Sequence, residues 1–213
     1  EAREVNIAFL TRMTRGTPWV RMKTAVTLDG RTAFPDGRSQ WITGEAARAD
    51  LQFWRGRAGA VLTGIGTVLA DDPQMNVRLP DQERQPLRIV IDPRMETPPA
   101  GKLLTSKGGR VFIAAAAEYP TRRAALEAAG AEVWVLPDAA APGRVDLREL
   151  MRELAKREVN EVHVEAGPGL SGALFAAGLI DEMLFYYAPC LFGAGMGPAA
   201  VPLPAEPGAA YRW

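Results

Sequence analysis

The feature that most constrains this chain is a recurrence: short runs of β-branched and apolar residues alternate with stretches of helical character. Leu87–Ile91 reads Leu-Arg-Ile-Val-Ile and ends at Asp92-Pro93; Ala60–Thr63, Arg110–Ala115 and Glu132–Leu136 also read as strands, and Glu161–Glu165 is the strand before a glycine-rich loop. Runs without strict polar–apolar alternation suit strands covered on both faces. Strands spaced by helices suit parallel pairing, because parallel neighbours need a crossover. Trp19–Thr27 opens the series and Met183–Ala188 closes it. Helices are expected over Glu45–Arg55, capped by Thr43 and with Ala46, Leu51 and Trp54 among its apolar positions, and over Thr121–Ala129 ahead of Gly130. Two more are expected over Asp146–Arg157 and Gly172–Ile180, while Gly64-Ile65-Gly66 is expected to break the chain after a strand. The Pro/Gly-rich stretches 92–101, 139–143 and 193–208 read as loops. The expectation is an α/β fold, a three-layer, mostly parallel sheet with helices on both faces.

The 25 lysines and arginines balance 25 aspartates and glutamates, so the formal net charge is +0. That balance argues against a nucleic-acid or membrane-surface partner. A single cysteine, Cys190, and a single histidine, His163, leave no internal disulfide and no zinc site of the usual Cys/His kind, and no metal is expected. No apolar run reaches the length of a membrane span and no signal-peptide core opens the chain, so the expected location is the cytoplasm.

In an open α/β sheet, ligands gather beyond the carboxyl ends of the strands. Polar residues and glycines collect there: Thr27-Leu28-Asp29-Gly30, Gly64-Ile65-Gly66-Thr67 leading to Asp71-Asp72-Pro73, Asp92, and Glu165 followed by Gly167-Pro168-Gly169-Leu170-Ser171-Gly172. The last stretch has G-x-G-x-x-G spacing directly after a β-type run, which lets backbone N–H groups approach a phosphate at a helix start. The usual dinucleotide-binding version of the motif fails one check. No acidic residue ends the next strand, which runs into Pro189-Cys190. A plain glycine-rich turn is the alternative.

No Ser-His-Asp or Cys-His set is present. His163 is expected to be a half-buried packing residue and Cys190 a buried, inert thiol. Lys23, Asp71, Asp72 and Glu165 remain as proton handlers. Alternation puts Arg21, Lys23 and Ala25 on one face of their strand, which is either a solvent-facing edge or part of a site. With little side-chain nucleophilicity available, a cofactor would carry the chemistry, and hydride transfer fits.

The chain carries Met22-Lys-Thr-Ala-Val-Thr-Leu-Asp-Gly30, Ser39-Gln-Trp-Ile-Thr-Gly44, Ala46-Ala-Arg48 and Thr67-Val-Leu-Ala-Asp-Asp-Pro73. Gln85-Pro-Leu-Arg-Ile-Val-Ile-Asp92, Val164-Glu-Ala-Gly167 and Leu179-Ile-Asp-Glu182 follow in order. Together these motifs resemble the reductase domain of bacterial riboflavin-biosynthesis bifunctional deaminase-reductases, which have a dihydrofolate reductase-like fold. The resemblance covers residues 18–213 as the reductase domain. Residues 1–17, with Asn6-Ile-Ala-Phe-Leu-Thr-Arg12, look like the remnant of a preceding deaminase domain or a linker.

The resemblance implies NADPH-dependent reduction of 5-amino-6-(5-phosphoribosylamino)uracil to its ribitylamino product. It implies a homodimer and a fused or separate deaminase. Ser39, Arg55 and Arg78 would hold the substrate phosphate, with Met75 packing nearby. Ala25, Trp41, Thr67, Asp71, Gly167, Pro168, Gly169, Leu170, Ser171, Gly172 and Ala173 would line the NADPH site. Lys23, Glu165 and Asp71 would be the catalytic groups. Lys23 would stabilise or protonate the opening ring oxygen, and Glu165 would orient the amines on the uracil side.

This chain departs from the pattern in three places. It has no His-x-Glu and Pro-Cys-x-x-Cys zinc motif, so it is not expected to deaminate. Pro93 stands where the family usually has a serine that touches the cofactor. Tyr211-Arg212-Trp213 ends the chain where a last strand is expected, which predicts an unpaired sheet edge. A related reductase of another pterin- or pyrimidine-like substrate, and a non-catalytic nucleotide-binding module, are the alternative readings.

Overall fold

The computed structural model describes residues 2–39, 42–80, 82–202, 204–206 and 209. Two helices, α1 (Ala2–Val5) and α2 (Ile7–Arg15), precede strand β1 (Trp19–Thr27). Then come α3 (Glu45–Arg57), β2 (Ala60–Gly64), α4 (Ile65–Asp71), β3 (Leu87–Ile91), α5 (Lys102–Thr105) and β4 (Val111–Ala115). The chain continues through α6 (Pro120–Ala128), β5 (Ala131–Val135), α7 (Leu147–Lys156), β6 (Glu161–Val164), α8 (Pro168–Ala176) and β7 (Glu182–Ala188). The strands form one seven-stranded sheet in the order β5-β4-β3-β2-β6-β1-β7, and its ladders are parallel throughout. The three-layer α/β expectation holds.

Each face of the sheet buries its own apolar layer. On one face Met22, Leu62, Ile89, Phe112 and Val164 pack against Leu150, Met151 and Leu154 of α7 and Leu174 of α8. On the other, Val61, Val90, Ile113 and Val133 pack against Val68 of α4, Leu103 of α5 and Leu126 of α6. Burial of this kind supplies the main driving force for the fold. The second apolar layer stops at β2. Beyond it, the same face of β6 and β1 carries Glu161, His163 and Arg21, all at or below 4% exposure. Helix α3 covers that polar strip: the Arg21 guanidinium carbon sits 4.2 Å from the centre of the Trp54 ring, and Arg57 reaches Glu161 at 3.3 Å.

Several expectations are corrected here. The stretch Gly64-Ile65-Gly66 is no simple break, because α4 starts directly at Ile65, which packs on the second core while Val68 is buried in it. Thr43 does not cap α3. Gly44 occupies the cap position without a side-chain bond, and the Thr43 carbonyl accepts from Arg48 Nη1 at 2.9 Å. Helix α8 begins at Pro168 and not at Gly172, since proline at the first helical position is pre-set for the turn and needs no N–H partner. The chain turns away at Gly178 in a left-handed conformation, φ 62°. His163 is fully buried, not half-buried, and Cys190 is partly exposed, not buried. β1 is no edge: it lies between β6 and β7, so Lys23 is not a solvent-facing edge lysine. Among the described residues β5 and β7 are the two edges, and residues 211–213, where an unpaired edge is expected, lie outside the described residues.

Candidate active site

Register brings Lys23 and Glu165 together. Met22 pairs with Val164 across β1 and β6, so the next residue of each chain segment lies at the same carboxyl end and on the same face. The Glu165 backbone is pinned there: its N–H donates to Leu62 O at 2.9 Å and its carbonyl accepts from Thr63 Oγ1 at 2.6 Å. Its carboxylate accepts two bonds from Arg55 of α3, from Nε at 2.5 Å and Nη2 at 2.9 Å. Arg55 Nη1 donates to Asn76 O at 3.1 Å, and Arg78 Nη1 donates to Asn76 Oδ1 at 3.0 Å. Asn76 is itself held by Lys107 O at 2.8 Å. One asparagine thus sets two guanidinium groups side by side. The sequence reading missed it, because an asparagine in an aperiodic loop carries no local signal.

The electrostatics follow from burial and these partners. Burial lowers the Lys23 pKa; Glu165 opposes that shift and Arg55 adds to it. Burial alone would push the Glu165 carboxyl up, but the charge and hydrogen bonds of Arg55 outweigh it and hold the pKa near 2. His163, one pleat below Glu165, is pushed down to about 4 by burial and by the nearby Arg55, Arg21 and Lys23 cations, against the pull of Glu165. Tyr186 on β7 donates its hydroxyl to Asp50 Oδ2 at 2.5 Å and lays its ring 5.5 Å from Lys23 Nζ.

Lys23, Ala25, Ser39, Thr67, Asp71 and Glu165 line one cavity of about 240 Å³, together with Gly167 and Pro168. Through Ser39, Thr67, Asp71 and Gly167 it runs into a groove of about 600 Å³ that adds Gly169 and Leu170. Leu170 leads on to a hollow of about 670 Å³ bordered by Ala173, Ile91, Pro93 and Arg148. The strand ends therefore carry one long, continuous depression. At its middle is the start of α8. Ser171 N donates to Gly167 O, which leaves the N–H groups of Gly169 and Leu170 without an intrahelical acceptor. A Cβ added to Gly167 or Gly169 would meet nothing within 4 Å. Open backbone and free N–H groups at a helix N-terminus suit a phosphate-bearing cofactor.

Not every expected residue reaches the depression. Met75 is buried in the second core at φ 54°. Ser171 is buried in α8, its hydroxyl directed to Ala166 O at 3.4 Å. Gly172 faces the backbone of Ala200, whose oxygen an added Cβ would meet at 2.1 Å. Arg55 and Arg78 stand behind Glu165, outside the lining of these three cavities. Trp41 lies outside the described residues. Asp72, a candidate proton handler, serves α5 instead: its Oδ1 accepts from Lys102 N at 2.7 Å. Asp29 ties two loops together, accepting from Phe192 N at 3.2 Å and Gly193 N at 2.7 Å. Asp92 Oδ2 accepts both the N–H and the hydroxyl of Thr97. These carboxylates close turns, as short acidic side chains do.

Among the described residues no helix is long and apolar enough to cross a membrane. Residues 18–207 match the model of the RibD C-terminal domain. The riboflavin biosynthesis protein RibD of Escherichia coli (strain K12) is 40% identical over 209 residues, covering 91% of this chain and 54% of its own length. The structure of Acinetobacter baumannii RibD superimposes with a TM-score of 0.81 at 38% identity, over 96% of this chain and 56% of that one. A Thermotoga maritima structure described as a diaminohydroxyphosphoribosylaminopyrimidine deaminase/5-amino-6-(5-phosphoribosylamino)uracil reductase has a TM-score of 0.75 at 28% identity, over 92% and 52%. The chain spans about half the length of these relatives, and its sheet is of their dihydrofolate reductase-like class. Matched along nearly all its length in sequence and in fold, the chain belongs to the RibD C-terminal domain family.

Proposed function

We propose that this chain reduces 5-amino-6-(5-phosphoribosylamino)uracil with NADPH, as the reductase step of riboflavin biosynthesis. The observation that carries the reading is the joint placement of Lys23 and Glu165 in a cavity continuous with the open N-terminus of α8. NADPH would supply a hydride to the first carbon of the opened sugar. The N–H groups of Gly169 and Leu170 would hold its phosphates, with Ala25, Thr67 and Asp71 along the groove. No acidic residue ends the strand that follows the glycine-rich turn, where it would repel a 2′-phosphate, which supports NADPH over NADH.

The remaining work falls to the chain's own side chains. Lys23, whose ammonium is destabilised by burial, donates the proton that the ring oxygen needs as its bond to carbon breaks. Glu165 stays ionised beside it and accepts hydrogen bonds from the amines of the pyrimidine. Arg78 offers donors not used by Asn76, and Arg55 has N–H groups beyond those given to Glu165, so the pair would meet the substrate phosphate from behind Glu165, with Ser39 approaching from the cavity side. A deaminase, fused or separate, would supply the substrate. A homodimer fits the edge position of β7 and the exposed Leu28, Tyr187 and Leu191 near it.

The decisive experiment is a turnover assay that follows NADPH absorbance with the deaminated phosphoribosylamino-pyrimidine. Expected is oxidation of NADPH with the ribitylamino compound as product. Tight NADPH binding without turnover would leave a nucleotide-binding module.

A further inference from the structure

His163 lies on β6 one pleat below Glu165, with Val61 of β2 and Arg21 of β1 as its register partners. It is 0% exposed, and neither ring nitrogen has a hydrogen-bond partner. Folds rarely leave such atoms unpaired, because the water they gave up is not replaced. An apolar side chain like the neighbouring Val61 would sit there without that penalty. The unpaired imidazole therefore calls for a reason beyond packing.

The geometry around Glu165 supplies one. His163 Nε2 is 3.7 Å from Glu165 Oε1, just beyond hydrogen-bond length. That same oxygen accepts Arg55 Nε at 2.5 Å. Arg55 in turn stands beside Arg78 through Asn76, so an anion that engages the two arginines competes with Glu165 for the Arg55 fork. A shift of the carboxylate of about 1 Å would bring Oε1 within reach of the imidazole.

We propose that His163 is a positioning residue: its Nε2–H takes up the Glu165 carboxylate when a phosphorylated substrate draws on Arg55, and so keeps Glu165 in place beside Lys23. This rests on the reading of Glu165 as the substrate-facing carboxylate. The imidazole is neutral at neutral pH, as a single-donor role requires. Three cations face it, Arg21, Lys23 and Arg55, against the carboxylate of Glu165, with Glu161 bound to Arg21 alongside. Neutral imidazole carries one N–H, and the tautomer with hydrogen on Nε2 is the one that serves Glu165.

The test compares His163→Leu, which keeps most of the volume without a donor, with His163→Gln, which keeps a donor at the matching reach. Leu is expected to raise Tm by about 2–4 °C, because it removes two unpaired nitrogens. It is also expected to lower kcat/KM for the phosphoribosylamino-pyrimidine about tenfold, and its calorimetric affinity similarly, with NADPH affinity unchanged. Gln is expected to recover most of the loss. A packing role alone would lower Tm and leave the substrate parameters near wild type. Unchanged kcat/KM and substrate affinity in the Leu variant overturn the proposal, as does an equal loss in the Gln variant. A wild-type enzyme that binds both ligands and fails to turn over sinks the reductase reading instead. The calorimetric comparison of wild type with Leu and Gln still decides the role of His163 in that case.

Discussion

The guanidinium of Arg55 and the carboxylate of Glu165 form a two-bond pair at 2.5 and 2.9 Å, joining helix α3 to the carboxyl end of β6. The pair stands at the end of a buried polar strip formed by Glu161, Arg21 and His163. It fixes Glu165 beside Lys23 and lowers its pKa, while occupying part of the fork available to a phosphate.

Breaking that pair from one side should be costly. Glu165→Ala leaves the Arg55 charge largely buried without its partner, and a loss of about 3–5 kcal/mol is expected. The double variant Arg55→Met/Glu165→Leu should recover most of that stability and have no reductase activity. Urea unfolding of the three proteins checks this, and a Glu165→Ala protein of wild-type stability would contradict the buried-pair reading.

Lys23 is expected to act in the chemical step. Lys23→Met keeps the stem and removes the charge from a buried strand position, so Tm should not fall. The value of kcat should drop about a hundredfold or more at saturating NADPH, with kcat/KM falling in step. Near-normal kcat in this variant would assign the lysine to packing against Tyr186.

Among the described residues the Arg78 side chain makes a single hydrogen bond, to Asn76, and Arg78 is exposed where Arg55 is buried. Arg78→Ala should weaken substrate binding by about 1.5–3 kcal/mol, roughly a tenfold to hundredfold rise in KM. NADPH affinity by calorimetry should stay at the wild-type value. An equal loss for both ligands would move Arg78 out of the substrate site.

Acid should destabilise the fold in two windows. His163 binds its proton less readily when folded, near pH 4 against 6.5 for a free histidine. Between those values the unfolded chain holds more protons, so stability falls as pH drops from 6.5 to 4, by up to about 3 kcal/mol. Glu165 has a folded pKa near 2 against 4.5, so its contribution is present above 4.5 and is lost as pH falls towards 2. Denaturant midpoints measured from pH 7 to 3 should show both slopes, and His163→Leu should abolish the upper one alone.

Two glycines of α8 should behave oppositely. Gly172→Ala drives a methyl group against the Ala200 carbonyl and should lower stability by about 1–3 kcal/mol. Gly169→Ala meets open space within the chain, so the fold should tolerate it, while NADPH affinity drops about tenfold as the methyl enters the groove. Melting curves with and without NADPH separate the two; a Gly169→Ala protein with full cofactor affinity would place the phosphates elsewhere.

The sequence by itself determined the parallel sheet. Runs such as Leu87–Ile91 and Ala60–Thr63 are apolar enough to be covered on both faces, and this local composition is readable without any partner. It also marked the glycines at the strand ends. The structure confirmed the alternation and moved the start of α8 back to Pro168. Short α4 escaped notice because seven residues that begin Ile-Gly have little helical propensity, and it is packing of Val68 into the second core that stabilises them.

Only the tertiary structure decided what the polar strand residues do. Along β1, the residues Arg21 and Lys23 look like an exposed face, and nothing local says that α3 covers Arg21. Strand order put β1 between β6 and β7, register set Lys23 beside Glu165, and a loop asparagine aligned Arg55 with Arg78. The physical reason is range. Burial pattern and turn chemistry are encoded within a few residues. Charge pairing in a low-dielectric interior depends on groups 110 positions apart in the chain, as Arg55 and Glu165 are, that only folding brings within reach.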